Sequence, residues 1–135
     1  MATATEIREA QRVVESLTAA KAIIQKGWAQ ENDAVDKSGK PVPTDSKFAI
    51  RFCPGGAIDR VLPGRSIVVT NLREVVRGYF EKMVRTADLA RWNDAPRRKK
   101  PEVIKAFAGA ILLAKAALQK IQQSEKGTVA KKAVR

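Results

Sequence analysis

From Pro101 onward, apolar side chains recur at Ile104, Phe107, Ile111, Ala114, Leu118 and Ile121, in alternating steps of three and four over nearly three heptads. That spacing lays a single apolar stripe along an α-helix. Pro101 suits the first turn, where its missing N–H has no partner to lose, and Glu102 complements the positive end of the helix. A coiled-coil seam uses the same spacing, but a core-facing stripe in a small bundle is the favoured reading. A helix apolar on one side draws its stability from what packs on that side, so the rest of the chain must supply partners.

Two segments do so. Thr5 to about Lys26 places Ile7, Ala10, Val14, Leu17, Ala20 and Ile24 at helical spacing, with no internal Gly or Pro, until Gly27 stops the run. A second helix is predicted from Asn71, as a cap with Glu74 three residues on, to about Val84 on Leu72, Val75, Val76, Tyr79, Phe80 and Met83. Residues 28–52 are rich in turn formers, and Ser38-Gly39 permits a small hairpin. "FCPGGAIDRVL" suggests a turn at Pro54 to Gly56 feeding a short helix that ends near Pro63-Gly64. Residues 86–92 either extend the second helix or form a separate turn. After Ser124, "EKGTVAKKAVR" has few apolar anchors. The expectation is a mainly α, single-domain bundle of about three main helices over residues 1–124. A loop-rich segment separates helices 1 and 2, and a flexible basic tail occupies 125–135.

The longest apolar run, Ala106 to Ala114, lies far below the ~20 residues that cross a bilayer. One cysteine and no signal-peptide pattern at the N-terminus make the cytoplasm the expected location.

Net charge is +12, with a pI near 10.3. Residues 1–46 carry −1, residues 47–120 carry +10 and the remainder +3, so the excess belongs to the folded middle. Such a surface favours polyanions: nucleic acid held by its phosphate backbone, or an acidic protein. The densest site is "RWNDAPRRKKPEVIKAF", where Arg97, Arg98, Lys99 and Lys100 precede a helix N-terminus. A helix N-terminus disfavours cations but, joined to them, makes an anion site. Arg73, Arg77, Arg91 and Lys105 complete the polyanion-binding candidates. Trp92 is expected as an apolar anchor whose indole N–H finds a carbonyl, with Asn93 and Asp94 bending the chain.

Histidine is absent, which excludes Ser-His-Asp and Cys-His catalysis and every His-containing zinc site. Cys53 beside Pro54, Gly55 and Gly56 is expected to be a buried, quiet thiol rather than a nucleophile. Glu31, Asp33, Asp36 and Asp45 lack the spacing of a calcium loop and are expected to cap turns. Phe48, Phe52, Phe80 and Phe107 sit at apolar-patterned positions, leaving few platforms for base stacking. No enzyme activity, cofactor or metal is expected.

"GWAQ" from Gly27, "RFCPGGAIDR" from Arg51 and "WNDAPRRKKPEVIKAFAGAI" from Trp92 together resemble a small family of bacterial and phage proteins of unknown function. Its hallmarks are Gly-Trp, C-A-x-G-A and W-N-D-A-P-G-R-T, in that order. The resemblance spans about residues 7 to 115 and matches Gly27, Trp28, Cys53, Gly56, Ala57, Trp92, Asn93, Asp94, Ala95, Pro96 and Arg98. It implies a shared fold with those positions as its structural motif, and no reaction. Arg97 and Lys99 stand where that pattern has Gly and Thr, so helix capping must fall to another group.

The functional expectation is a basic, non-enzymatic binding or adaptor protein that contacts nucleic acid through its backbone. The alternative is a protein-interaction or assembly component, phage-associated, using an apolar helix face.

Overall fold

The computed structural model describes residues 2–134, and their side chains over residues 2–124. Thr3 opens α1 (Ala4–Lys26) by accepting the Glu6 N–H on its hydroxyl at 3.1 Å. Gly27 ends it, donating its N–H to Ile23 O at 3.1 Å. Its backbone is extended, at φ −170°, so glycine is required by space rather than conformation: a Cβ there would run into the Ile50 carbonyl. That close approach lets the chain after α1 pair with Phe52, whose N–H donates to Gly27 O and whose carbonyl accepts from Ala29 N, both at 3.0 Å.

Phe52 also belongs to a two-stranded antiparallel ladder of β1 (Ala34–Val35) and β2 (Arg51–Phe52), with Ala34 opposite Phe52. The hairpin expected here exists, and Ser38-Gly39 forms a tight turn inside it. Asp36 accepts from the Lys40 and Ser38 N–H groups at 2.9 Å each, which holds its carboxyl below the usual range. Gly39 supplies the positive φ of 86°.

Cys53 is the N-cap of α2 (Pro54–Val61), its sulfur accepting the Gly56 N–H at 3.2 Å. The expected turn at Pro54 to Gly56 is therefore the first turn of the helix itself, where proline is at home. Gly56 is needed because a Cβ would collide with the Asp33 carbonyl.

The second main helix, α3 (Ile67–Val84), begins four residues before the expected Asn71. Ser66 caps it by accepting the Val69 N–H at 3.2 Å, and Asn71 is an exposed interior residue. The β-branched run Ile67-Val68-Val69-Thr70 argues against helix on propensity, but the Ser66 cap overrides it. Residues near Trp92 form a separate short helix, α4 (Leu89–Asn93), capped by Asp88. The last helix, α5, spans Lys100–Val134. Its cap is assembled from the other side: Glu102 reaches back to accept the Lys99 N–H at 2.9 Å, half of a capping box whose N-cap hydroxyl is replaced by a lysine. The flexible tail expected over 125–135 falls outside the residues whose side chains are described.

Lys100 meets Gln25, and Met83 lies against Gly109, so α1 and α3 both run antiparallel to α5. Packed against both helices, α5 buries one broad face, rotated from the expected stripe. Val103, Ala106, Phe107, Ala110, Ile111 and Ala114 are buried, whereas Ile104, Leu118 and Ile121 lie at its margins. Phe80 and Phe107, their ring centroids 4.6 Å apart, sit at the centre with Leu17, Ile24, Ile58 and Val76. Two expectations shift on α3: Val75 is exposed, Met83 lies against Gly109 while remaining partly exposed, and the buried residues are Leu72, Val76 and Phe80. Phe48 is likewise exposed, with the Lys47 ammonium 5.2 Å from its ring centre. Among the described residues, no helix is long and apolar enough to cross a membrane.

Capping by Ser66 predicts that Ser66→Ala costs about 1 kcal/mol in chemical denaturation, against a few tenths at most for Asn71→Ala. The reverse order would restore Asn71 as the start of the helix.

Candidate functional site

The residues "WND" divide between the core and a loop junction. Trp92 stands edge-on to Phe80, centroids 5.6 Å apart and planes at 83°, while the Arg98 guanidinium covers its ring at 3.9 Å. The indole that hydrogen-bonds within the junction is not that of Trp92 but that of Trp28, whose Nε1 donates to Asn93 Oδ1 at 2.7 Å. Asn93, with no exposed surface, donates its Nδ2 to Ala29 O at 2.9 Å and to Asp94 Oδ1 at 3.2 Å. Gln30 Nε2 donates to the carbonyls of Asn93 and Ala95, and Asp94 Oδ1 accepts the Glu31 N–H at 2.7 Å. Residues 28–31 are thus laced to 93–95 by matched donors and acceptors, as buried polar groups require.

Much of the basic run is occupied internally. Arg98 donates Nε to Trp92 O and a terminal nitrogen to Glu102 Oε2, both at 2.9 Å, besides its cation–π contact. Lys100 Nζ donates to Gln25 O at 2.8 Å, satisfying a carbonyl at the end of α1. Arg73 donates to Leu62 O at 2.6 Å and Gly64 O at 2.9 Å, with the Asp59 carboxylate 3.9 Å away. Arg73 and Arg77 lie on the side of α3 that meets α2, where burial raises the Asp59 pKa against the pull of both cations. Arg91, Arg97, Lys99 and Lys105 are exposed around the α4–α5 corner. Six of the eight candidate cations therefore share one region, and two of those six are structural donors. Pro96 is exposed in the turn between α4 and α5.

Cys53 is buried, and burial pushes its thiol up to about 11; the Gly56 N–H opposes the shift, and the Asp33 carboxylate, 3.6 Å from the sulfur, adds to it. At neutral pH the group is a protonated thiol that serves as a helix cap.

Sequence reasoning missed a second feature: an apolar groove of about 450 Å³ between α1 and α3. Val13 on one side and Val68, Leu72 and Val75 on the other form its walls, over a floor of Ala114, Ala117 and Ile121. Glu6, Glu9 and Arg12 mark its α1 edge. Val68 and Val75 are 66% and 49% exposed, and Ile67 beside them 79%. The seven-residue spacing of the two valines was the signal to be found, hidden by starting the helix at Asn71.

The sequence profile of a family of unknown function, DUF6197, matches residues 8–113, and the chain belongs to that family. No curated protein matches the chain. No solved structure does either.

Replacing Asn93 by Ala strands the Trp28 N–H and the Ala29 carbonyl. The change should cost about 2 to 5 kcal/mol in denaturant unfolding, and a loss below about 1 kcal/mol would remove Asn93 from the centre of the junction. For Cys53, the fold raises the pKa above its ordinary 9.0, so the associated stability is complete below that value and lost as pH climbs through about 11. Alkylation of the native protein near neutral pH should be slow and become fast only on unfolding.

Proposed function

We propose that this protein is a non-enzymatic interaction module whose groove between α1 and α3 receives an apolar helix from a protein partner. The observation that carries this reading is the exposure of Val68 and Val75 along the groove, with Ile67 exposed beside them. Water contact at these positions is unfavourable, and covering an aliphatic side chain contributes roughly 1.5 to 3 kcal/mol. Contiguous apolar surface of this kind marks interaction sites. The shape supports a helix as occupant. Its two walls are helices running the same way, and the small side chains of Ala114 and Ala117 leave room for an incoming helix to approach α5 and complete a four-helix arrangement.

Attachment to nucleic acid through phosphates is the weaker reading, because Arg73, Arg98 and Lys100 spend hydrogen bonds on backbone carbonyls. Arg91, Arg97, Lys99 and Lys105 remain for it. Four phosphate contacts would give a logarithmic salt slope of about −3.6 on duplex DNA.

A photo-crosslinking side chain placed at Val75, and separately at Arg97, in the cell that makes the protein distinguishes the two. The expected result is a protein adduct at Val75. Val75→Glu should then weaken binding of the identified, purified partner at least tenfold at an unchanged melting midpoint. Nucleic-acid adducts at Arg97 with none at Val75 would overturn the proposal.

A further inference from the structure

Arg85 closes α3 in the left-handed conformation, at φ 60° and ψ 33°, with its N–H donated to Glu81 O at 2.7 Å. Residues with a Cβ enter that region at a cost, and helix ends of this kind favour glycine. A cation suits the negative end of the helix, but the left-handed backbone itself favours a residue without a side chain. The residue, however, lines a cleft of about 360 Å³ between the end of α3 and the first turns of α5. Lys105 lines the same cleft, together with Met83, Val84, Ala106 and Trp92.

The charges in this cleft are unbalanced. Neither the Arg85 guanidinium nor the Lys105 ammonium makes an ion pair or hydrogen bond among the described residues. The carboxylate present, Glu102, is already committed on both oxygens, to the Lys99 N–H and to Arg98. Because Arg98 covers one side of the half-buried Trp92 ring, what the ring offers the cleft is apolar and aromatic, next to a methionine thioether suited to aromatic contact. Two free cations beside such a floor match a ligand with an anionic head and a flat body, in a volume within the range of small-molecule sites.

We infer that this cleft binds a small phosphate ester carrying an aromatic body, with Arg85 and Lys105 on the phosphate and Trp92, Met83 and Ala106 against the body. The site is separate from the α1–α3 groove and independent of what occupies that groove. The strained backbone at Arg85 is then retained for the sake of the ligand, a trade between stability and binding.

Adenosine monophosphate, ribose 5-phosphate and inorganic phosphate serve as probes, followed by calorimetry and tryptophan fluorescence. Adenosine monophosphate should bind saturably at millimolar concentration or below and change the fluorescence, and the two probes without an aromatic body should bind at least tenfold more weakly. Arg85→Gly relieves the left-handed strain, so its melting midpoint should stay level or rise while affinity falls at least tenfold; Lys105→Gln should weaken binding several-fold. Lys37→Gln, exposed in the hairpin turn outside the cleft, should bind as the parent does. Full affinity in Arg85→Gly, equal binding of ribose 5-phosphate, or no saturable binding of adenosine monophosphate would each overturn the assignment.

Discussion

The structure hinges on one buried amide. Asn93 is fully enclosed, and its oxygen and nitrogen hold, respectively, the Trp28 indole and the Ala29 carbonyl, 65 and 64 positions away in the chain. A buried primary amide in an apolar setting is unfavourable unless its donors and acceptor are matched. Here they are met by groups that occupy those places only when α1 has ended, the chain has turned past Gly27 and α4 has docked beside it. The amide therefore selects one arrangement of the loop following α1. Through Phe52, which pairs with Gly27 and Ala29, it also fixes the small ladder and the start of α2. Hydrophobic burial supplies the driving force, and Asn93 supplies the uniqueness.

Charge has a similar double life. On a +12 chain the simplest inference is a surface awaiting a polyanion. In the fold, Arg60 donates to the carbonyls of Thr44 and Ser46, Arg73 to those of Leu62 and Gly64, Arg98 to that of Trp92 and Lys100 to that of Gln25. Long cationic side chains here close the ends of helices and loops whose carbonyls have no partner in regular structure. Net charge consequently overstates how many cations remain for a ligand, and those that do remain, such as Arg85 and Lys105, carry more information than the sum.

Strong periodicity was legible in the sequence. The run ending at Gly27 and the stripe after Pro101 yielded α1 and α5, since spacing of this kind is helical whichever partner it packs against. The start of α3 was not legible, because Ile67 to Thr70 is β-branched and the decisive signal is a single hydroxyl at Ser66. The Trp-Asn-Asp motif reads as architectural, but which indole it binds depends on a contact across the chain that local pattern does not encode. Arg97 to Lys100 looks uniform as letters, yet Arg98 folds onto an aromatic ring and Lys100 onto a helix end, while Arg97 and Lys99 are exposed. The groove escaped notice for a related reason: an apolar residue on a helix reads as core until the neighbouring helix is seen to stand off.

The separation along the chain between α1 and its partners bears on how the protein is made. Leu17, Ala20 and Ile24 are buried in the finished fold, but α5, the helix packed along α1, begins only at Lys100. At translation rates of about 5–20 residues per second, the ribosome needs several seconds to travel between them. During that interval β2 and α2, which follow sooner, can cover part of the first helix's apolar stripe, but the part that meets α5 stays open. Closure of the core over the first helix thus waits for α5 to leave the ribosome.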